Sequence, residues 1–158
     1  MALETTRVEG GLAVSMQLLQ ELPENIESTL SSGATAVVDY QLRVYAKRRF
    51  FPDRKIWKGV ARVSVHFDAV TGRYLCQFVV DDETTASREV GSVDQAREWL
   101  TAPPAIDVPI PEARREATLR VRVRAVFASG TTWLVFPTTD GTDWLEVRLD
   151  PVPDELGE

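Results

Sequence analysis

From Thr118 to Phe127 the chain alternates without a break. Leu119, Val121, Val123, Ala125 and Phe127 fall on one side, Thr118, Arg120, Arg122 and Arg124 on the other. A strand separates such residues because successive side chains point to opposite faces, whereas a helix would spread the arginines around its circumference. Register is fixed too, since a slip of one residue would bury the row of arginines. A longer segment repeats the pattern, with Ala36, Val38, Tyr40, Leu42, Val44 and Ala46 opposing Asp39, Gln41, Arg43 and Lys47. Trp57, Ala61, Val63, Val65 and Phe67 then oppose Lys58, Arg62, Ser64 and His66. Asp68–Gly72 supplies a turn, and Tyr74, Cys76, Phe78 and Val80 form the partner strand beyond it. Leu12, Val14, Met16 and Leu18 begin the series, and residues 132–136 and 143–149 are candidates for two more strands. Sheets with one wet face pair antiparallel.

Two helices interrupt the alternation. Leu22, Ile26 and Leu30 fall four apart, Pro23 suits an early helical position, and Gly33 is placed for a left-handed cap. In the second, Ser92 and Gln95 fit a capping box, Val93, Ala96, Trp99 and Leu100 form an apolar stripe, and Pro103-Pro104 stops the helix. Helices this short need a sheet to lie against. Strands before, between and after helices, without regular βα alternation, predict a mainly β, α+β protein: an antiparallel β-sandwich with two short helices. We place a single β-rich domain at 11–150, with flexible polar ends at 1–10 and 151–158.

The chemistry on offer is narrow. The chain has one histidine and one cysteine among 158 residues. It contains no HExxH, paired CxxC, GxSxG elbow, Walker loop or dinucleotide glycine fingerprint. No catalytic residue, metal ligand set or cofactor is therefore expected, and the protein reads as non-enzymatic. His66 is expected to be an ordinary cross-strand histidine and Cys76 a small buried hydrophobe. The acid runs Asp81-Asp82-Glu83 and Asp140-Gly141-Thr142-Asp143 lack the alternating ligands of a calcium loop and read as solvated loops. Outward Arg120, Arg122 and Arg124 are in a position to track phosphates, but Asp39 and Glu146 offer cross-strand counter-charges, which favours a salt-bridged wet face. With a formal net charge of −6 and no recognisable module, nucleic acid is not an expected partner. No run approaches the ~18–20 apolar residues of a spanning helix. Met1–Arg7 lacks a basic start followed by an apolar stretch, so no export signal is read there.

One stretch stands apart. Lys47-Arg48-Arg49-Phe50-Phe51-Pro52-Asp53-Arg54-Lys55-Ile56-Trp57-Lys58 sets six of the eighteen basic residues beside a single acid. Pro52-Asp53 fits a turn between two strands, so the aromatic pair and the cations belong at a hairpin end. Two readings follow. In one, Arg48, Arg49, Phe50, Phe51, Arg54, Lys55, Trp57 and Lys58 bind an anionic surface, either lipid head groups or an acidic protein partner. In the other, Phe50, Ile56 and Trp57 close the end of the core beneath basic side-chain stems.

The order of these pieces resembles DUF4390, a bacterial domain-of-unknown-function family. The resemblance rests on a helix ending in a small-residue-Gly step and on a strand leading into Arg48-Arg49-Phe50-Phe51-Pro52-Asp53. It continues through the hairpin His66–Tyr74, the short helix Ser92–Leu100 and the charged strand Thr118–Phe127, covering roughly residues 12–149. The family's final part fits Phe136-Pro137 and Trp144 only partly. The resemblance implies no established activity and no functional residues. It does imply a periplasmic or cell-envelope protein, since family members often begin with an export or lipoprotein signal, with a cytoplasmic protein as the alternative. The expectation is an envelope module binding a protein partner or an anionic membrane surface, with carriage of a small apolar ligand inside the sandwich as the alternative.

Overall fold

A computed structural model describes residues 1–131 and 134–151, with the side chains of 128–140 left out of the description. In chain order the elements are β1 (Ala2–Val8), β2 (Gly11–Gln17), α1 (Glu24–Ser32), β3 (Thr35–Ala46), β4 (Arg54–Asp68), β5 (Arg73–Val80), β6 (Glu83–Val90), α2 (Val93–Thr101), β7 (Ile106–Pro109), β8 (Leu119–Thr131), β9 (Leu134–Gly141) and β10 (Leu145–Leu149). They form two antiparallel sheets. The small one has the order β1-β2-β7, and the large one β10-β8-β3-β4-β5-β6, with β9 pairing along the second half of β8. The α+β sandwich with two helices is the observed architecture.

The alternation explains the packing. Every inward residue of β3, from Ala36 to Ala46, is buried, as are Leu119 to Phe127 on β8 and Ala61, Val63 and Val65 on β4. They share one core with Leu12, Val14 and Met16 of the small sheet and with Ile26, Leu30, Ala96, Trp99 and Leu100 of the helices. The small sheet and both helices thus cover the inner face of the large sheet. Two polar tethers fix α2 there: the Tyr40 hydroxyl donates to Leu100 O at 2.6 Å, and Trp99 Nε1 donates to Gln77 O at 3.1 Å. Arg97 joins the helices, its Nε and guanidinium nitrogen donating to both Glu27 oxygens at 2.7 and 2.9 Å. That pair holds the Glu27 carboxyl below its usual range, and Arg97 is pushed further up. Burial raises the Tyr40 phenol and the Cys76 thiol, the latter only 2% exposed on β5.

Helix ends follow their sequence signals. Gly33 closes α1 at φ 82°, a left-handed position that costs glycine nothing. Ser92 Oγ accepts from Gln95 N at 3.2 Å, while the Gln95 side chain reaches back to Gly91 N rather than to Ser92 N.

One expectation is corrected. Residues 1–10, read as a flexible end, instead supply β1, which pairs with β2 from Ala2↔Gln17 to Val8↔Gly11. Its burial is only partial throughout, so no apolar period marked it. The acid run Asp81-Asp82-Glu83 is exposed, as read, and is built as a tight turn. Asp81 and Asp82, at φ 48° and 67°, form a two-residue hairpin turn into β6, an exposed edge strand. The strands read at 132–136 and 143–149 correspond to β9 and β10, although 132–133 lie outside the described residues, as do 152–158 of the expected flexible C-terminal end.

Candidate functional site

The basic-aromatic stretch is the connection between β3 and β4, and the structure divides it. Residues 47–53 form the hairpin tip. Phe50 is 81% and Phe51 67% exposed, so neither closes the core. Each ring instead meets an arginine, Arg49 over Phe50 and Arg48 over Phe51, both at 5.4 Å. Arg48 Nε also donates to Pro52 O at 2.8 Å, folding the tip on itself. Arg54 and Lys55 continue the exposed basic surface at the start of β4.

Then the register shifts. Tyr45 pairs with Lys55 but Val44 with Trp57, leaving Ile56 as the extra residue of a bulge. The bulge lets both Ile56 and Trp57 turn toward the core, where they are half-buried. The core-closing reading therefore holds for these two and fails for Phe50. A side chain at Gly59 would overlap the Trp57 indole, which accounts for a glycine in mid-strand. Lys58 leaves the tip group altogether and lies exposed on the outer face of the sheet, opposite Arg43. Of the eight candidate residues, Arg48, Arg49, Phe50, Phe51, Arg54 and Lys55 are gathered at the tip. Trp57 and Lys58 are not.

The outer face differs from the expected salt-bridged surface. Asp39 pairs with Arg62 at 2.9 Å, not with the β8 arginines. Glu146 pairs with Arg120 at 3.1 Å, and Arg120 Nε also lies 2.7 Å from Asp53 Oδ2, an ion-pair contact that moors the tip to β8. Arg122 and Arg124 meet the Trp144 ring instead, at 5.0 and 5.1 Å, and Arg43 joins them at 4.7 Å. Arg124 Nε donates to Gln41 Oε1 at 2.9 Å. This cluster was missed in the sequence. Its signal is the outward parity of Arg43 on one strand and Arg122 on the next, but Trp144 sits in a connection where alternation says nothing.

His66 is a half-exposed cross-strand residue whose Nδ1 lies 3.4 Å from Thr35 Oγ1. Among the described residues no group of His, Cys, Asp and Glu is arranged to hold a metal ion, and no helix is long and apolar enough to cross a membrane. A hollow of about 760 Å³ opens between the end of β2 and the two helices and is bordered by Glu21, Glu27, Asp94, Arg97 and Glu98.

Comparison with known families gives one finding. The model of a family described as a domain of unknown function (DUF4390) matches residues 1–132. The chain belongs to this family. The DUF4390 match takes in β1, which the sequence resemblance left out, and runs through both helices, the hairpin tip and the outward arginines. It ends before β9 and β10, so Trp144 lies beyond the matched part. Neither curated proteins nor solved structures give a match.

Proposed function

We propose that this DUF4390 protein is a non-enzymatic module of the bacterial cell envelope that docks onto an anionic membrane surface through its β3–β4 tip. The observation that carries the reading is the exposure of Phe50 and Phe51 beside Arg48 and Arg49. Two adjacent aromatic rings left in water contribute nothing to the core. Each would gain about 1.5–3 kcal/mol on full burial elsewhere. A head-group boundary suits both halves of the tip, since rings enter the acyl edge while cations stay among phosphates. Lys47, Arg48, Arg49, Arg54 and Lys55 would each add about 1 kcal/mol near an anionic surface, an attraction that salt screens. The envelope placement comes from family kinship. Carriage of an apolar ligand would need an enclosed apolar hollow, and the acid-bordered opening beside the helices is a poor fit to one.

Flotation with vesicles containing phosphatidylglycerol tests the proposal. The protein should float with them, less as salt rises, and stay behind with purely neutral vesicles. Changing Arg48, Arg49, Arg54 and Lys55 together to Glu should abolish flotation in a protein that melts normally. Flotation unchanged in that variant would refute the membrane reading. Failure of the parent protein to float, with salt-sensitive binding to an acidic protein, would assign the tip to a protein partner instead.

A further inference from the structure

The outer face of the large sheet breaks a rule of strand pairing. Arg43 stands directly opposite Lys58 on β4 and directly opposite Arg122 on β8, so three cations occupy one cross-strand row. Arg124 follows two residues along β8, opposite Gln41. Side chains directly opposite in a sheet are about 4.5–5.5 Å apart at Cβ, and like charges there destabilise the pairing. Elsewhere on this face the arginines have acids: Arg62 has Asp39, Arg120 has Asp53 and Glu146, and Arg148 has Asp150. Among the described residues, Arg43, Lys58, Arg122 and Arg124 have no carboxylate partner. Glu146 is the direct cross-strand neighbour of Arg122, yet its carboxylate goes to Arg120.

Trp144 holds three of these cations against one indole. A ring quadrupole attracts a cation without neutralising it, so the repulsion within the row persists. Next to the row, a hollow of about 260 Å³ lies over β3 and β4, bordered by Gln41, Arg43, Lys58, Val60 and Asp81. The one acid there, Asp81, has its Oδ1 occupied by the Val60 amide at 3.1 Å. Sequences that are locally consistent nearly everywhere place such violations at functional sites.

We infer that Arg43, Arg122 and Lys58 form an anion-binding site on the outer sheet face, steadied by Trp144, and that its ligand is a phosphate monoester. A single carboxylate would neutralise one of the four cations that lack a carboxylate partner among the described residues. A monoester carries about −1.5 to −2 charges at neutral pH and three acceptor oxygens, and suits guanidinium forks as well as an ammonium group. The hollow is lined by Arg43 and Lys58, and Arg122 stands beyond Arg43 on β8, so the phosphate sits at Arg43 between the two neighbouring cations with the rest of its carrier directed outward. The site is built on strands, apart from the tip, and stands independently of the membrane reading.

The test uses the whole chain, inorganic phosphate as the probe and the arginine Nε–Hε signals in NMR as the readout. Phosphate should shift the Arg43 and Arg122 signals saturably, and sodium chloride of equal ionic strength should not. In the double variant Arg43→Gln with Arg122→Gln, affinity followed at Arg124 should fall about tenfold or more. That variant should melt no lower than the parent, because the row of like charges has been relieved. The variant with Arg48, Arg49, Arg54 and Lys55 changed to Glu should keep the phosphate response. Vesicles containing phosphatidate, offered to this tip variant against phosphatidylglycerol vesicles, separate the two carriers: selective binding assigns a lipid head group, and none assigns a soluble monoester. The inference is overturned if chloride reproduces the shifts, or if the double variant responds to phosphate as the parent does. It is overturned as well if reversing the tip alone removes the response.

Discussion

On β3, Ala36, Val38, Tyr40, Leu42, Val44 and Ala46 face inward and none is more than 1% exposed. The intervening Asp39, Gln41, Arg43 and Tyr45 face the other way and meet Arg62, Arg124, Trp144 and Arg120. One strand thus serves two regions under different constraints. Inward, each side chain is fixed by close neighbours and by the cost of a void. Outward, contacts are polar, part-solvated and individually weak, so charge can be arranged for recognition with little loss of stability. The tip extends the outward regime, with its rings held by arginines.

Substitutions that probe this contrast should rank steeply. Phe78→Ala, at a fully buried ring of β5, should cost about 3–5 kcal/mol in chemical denaturation. A loss below about 1 kcal/mol would mean that the inner face does not carry the stability.

Tyr40→Phe comes next, at about 1–2 kcal/mol, because Leu100 O loses its buried donor. It also sharpens the contrast through pH. The folded-state phenol titrates above its ordinary 10.0 owing to burial, so its stabilisation is complete below pH 10 and is lost as pH rises further. Alkaline melts of the parent should steepen there, and those of Tyr40→Phe should steepen less.

Glu27→Gln should cost at most about 1 kcal/mol, since both partners of the Arg97 pair are more than a third exposed. Hydrogen bonding to Arg97 lowers the folded-state carboxyl below 4.5, so this contribution is present above pH 4.5 and is lost as pH falls through the depressed value. Acid melts of parent and variant should converge in that range.

Smallest of all, Phe50→Ala and Phe51→Ala should each change stability by no more than about 0.5 kcal/mol while reducing vesicle binding. A large melting shift in either would move the tip into the inner regime.

These rankings reflect what the sequence could express. Burial on one face imposes a period of two, so β2, β3, β4, β5 and β8 were legible with their inward residues. Both helices were legible from spacing and caps. β1 and β6 were not, because edge strands with little buried surface need no apolar alternation. The tip was recognisable by composition, and its exposure could not be read because Phe50 fits a core end as well as a surface. Its partition from Trp57 depends on a one-residue bulge that leaves no mark in the residue types. The Trp144 cluster needed the pairing of β3 with β8, two strands far apart in the chain.

Cys76 has a consequence of a different kind. It is the chain's single thiol, and it sits in the middle of β5, flanked by β4 and β6, as a buried residue. A thiol-specific reagent can modify the protein only at moments when this part of the sheet has come apart. The rate of labelling therefore reports how often the sheet opens, and its dependence on denaturant separates a local parting of β6 from complete unfolding. The molecule carries its own clock for its slowest motions, with no added probe.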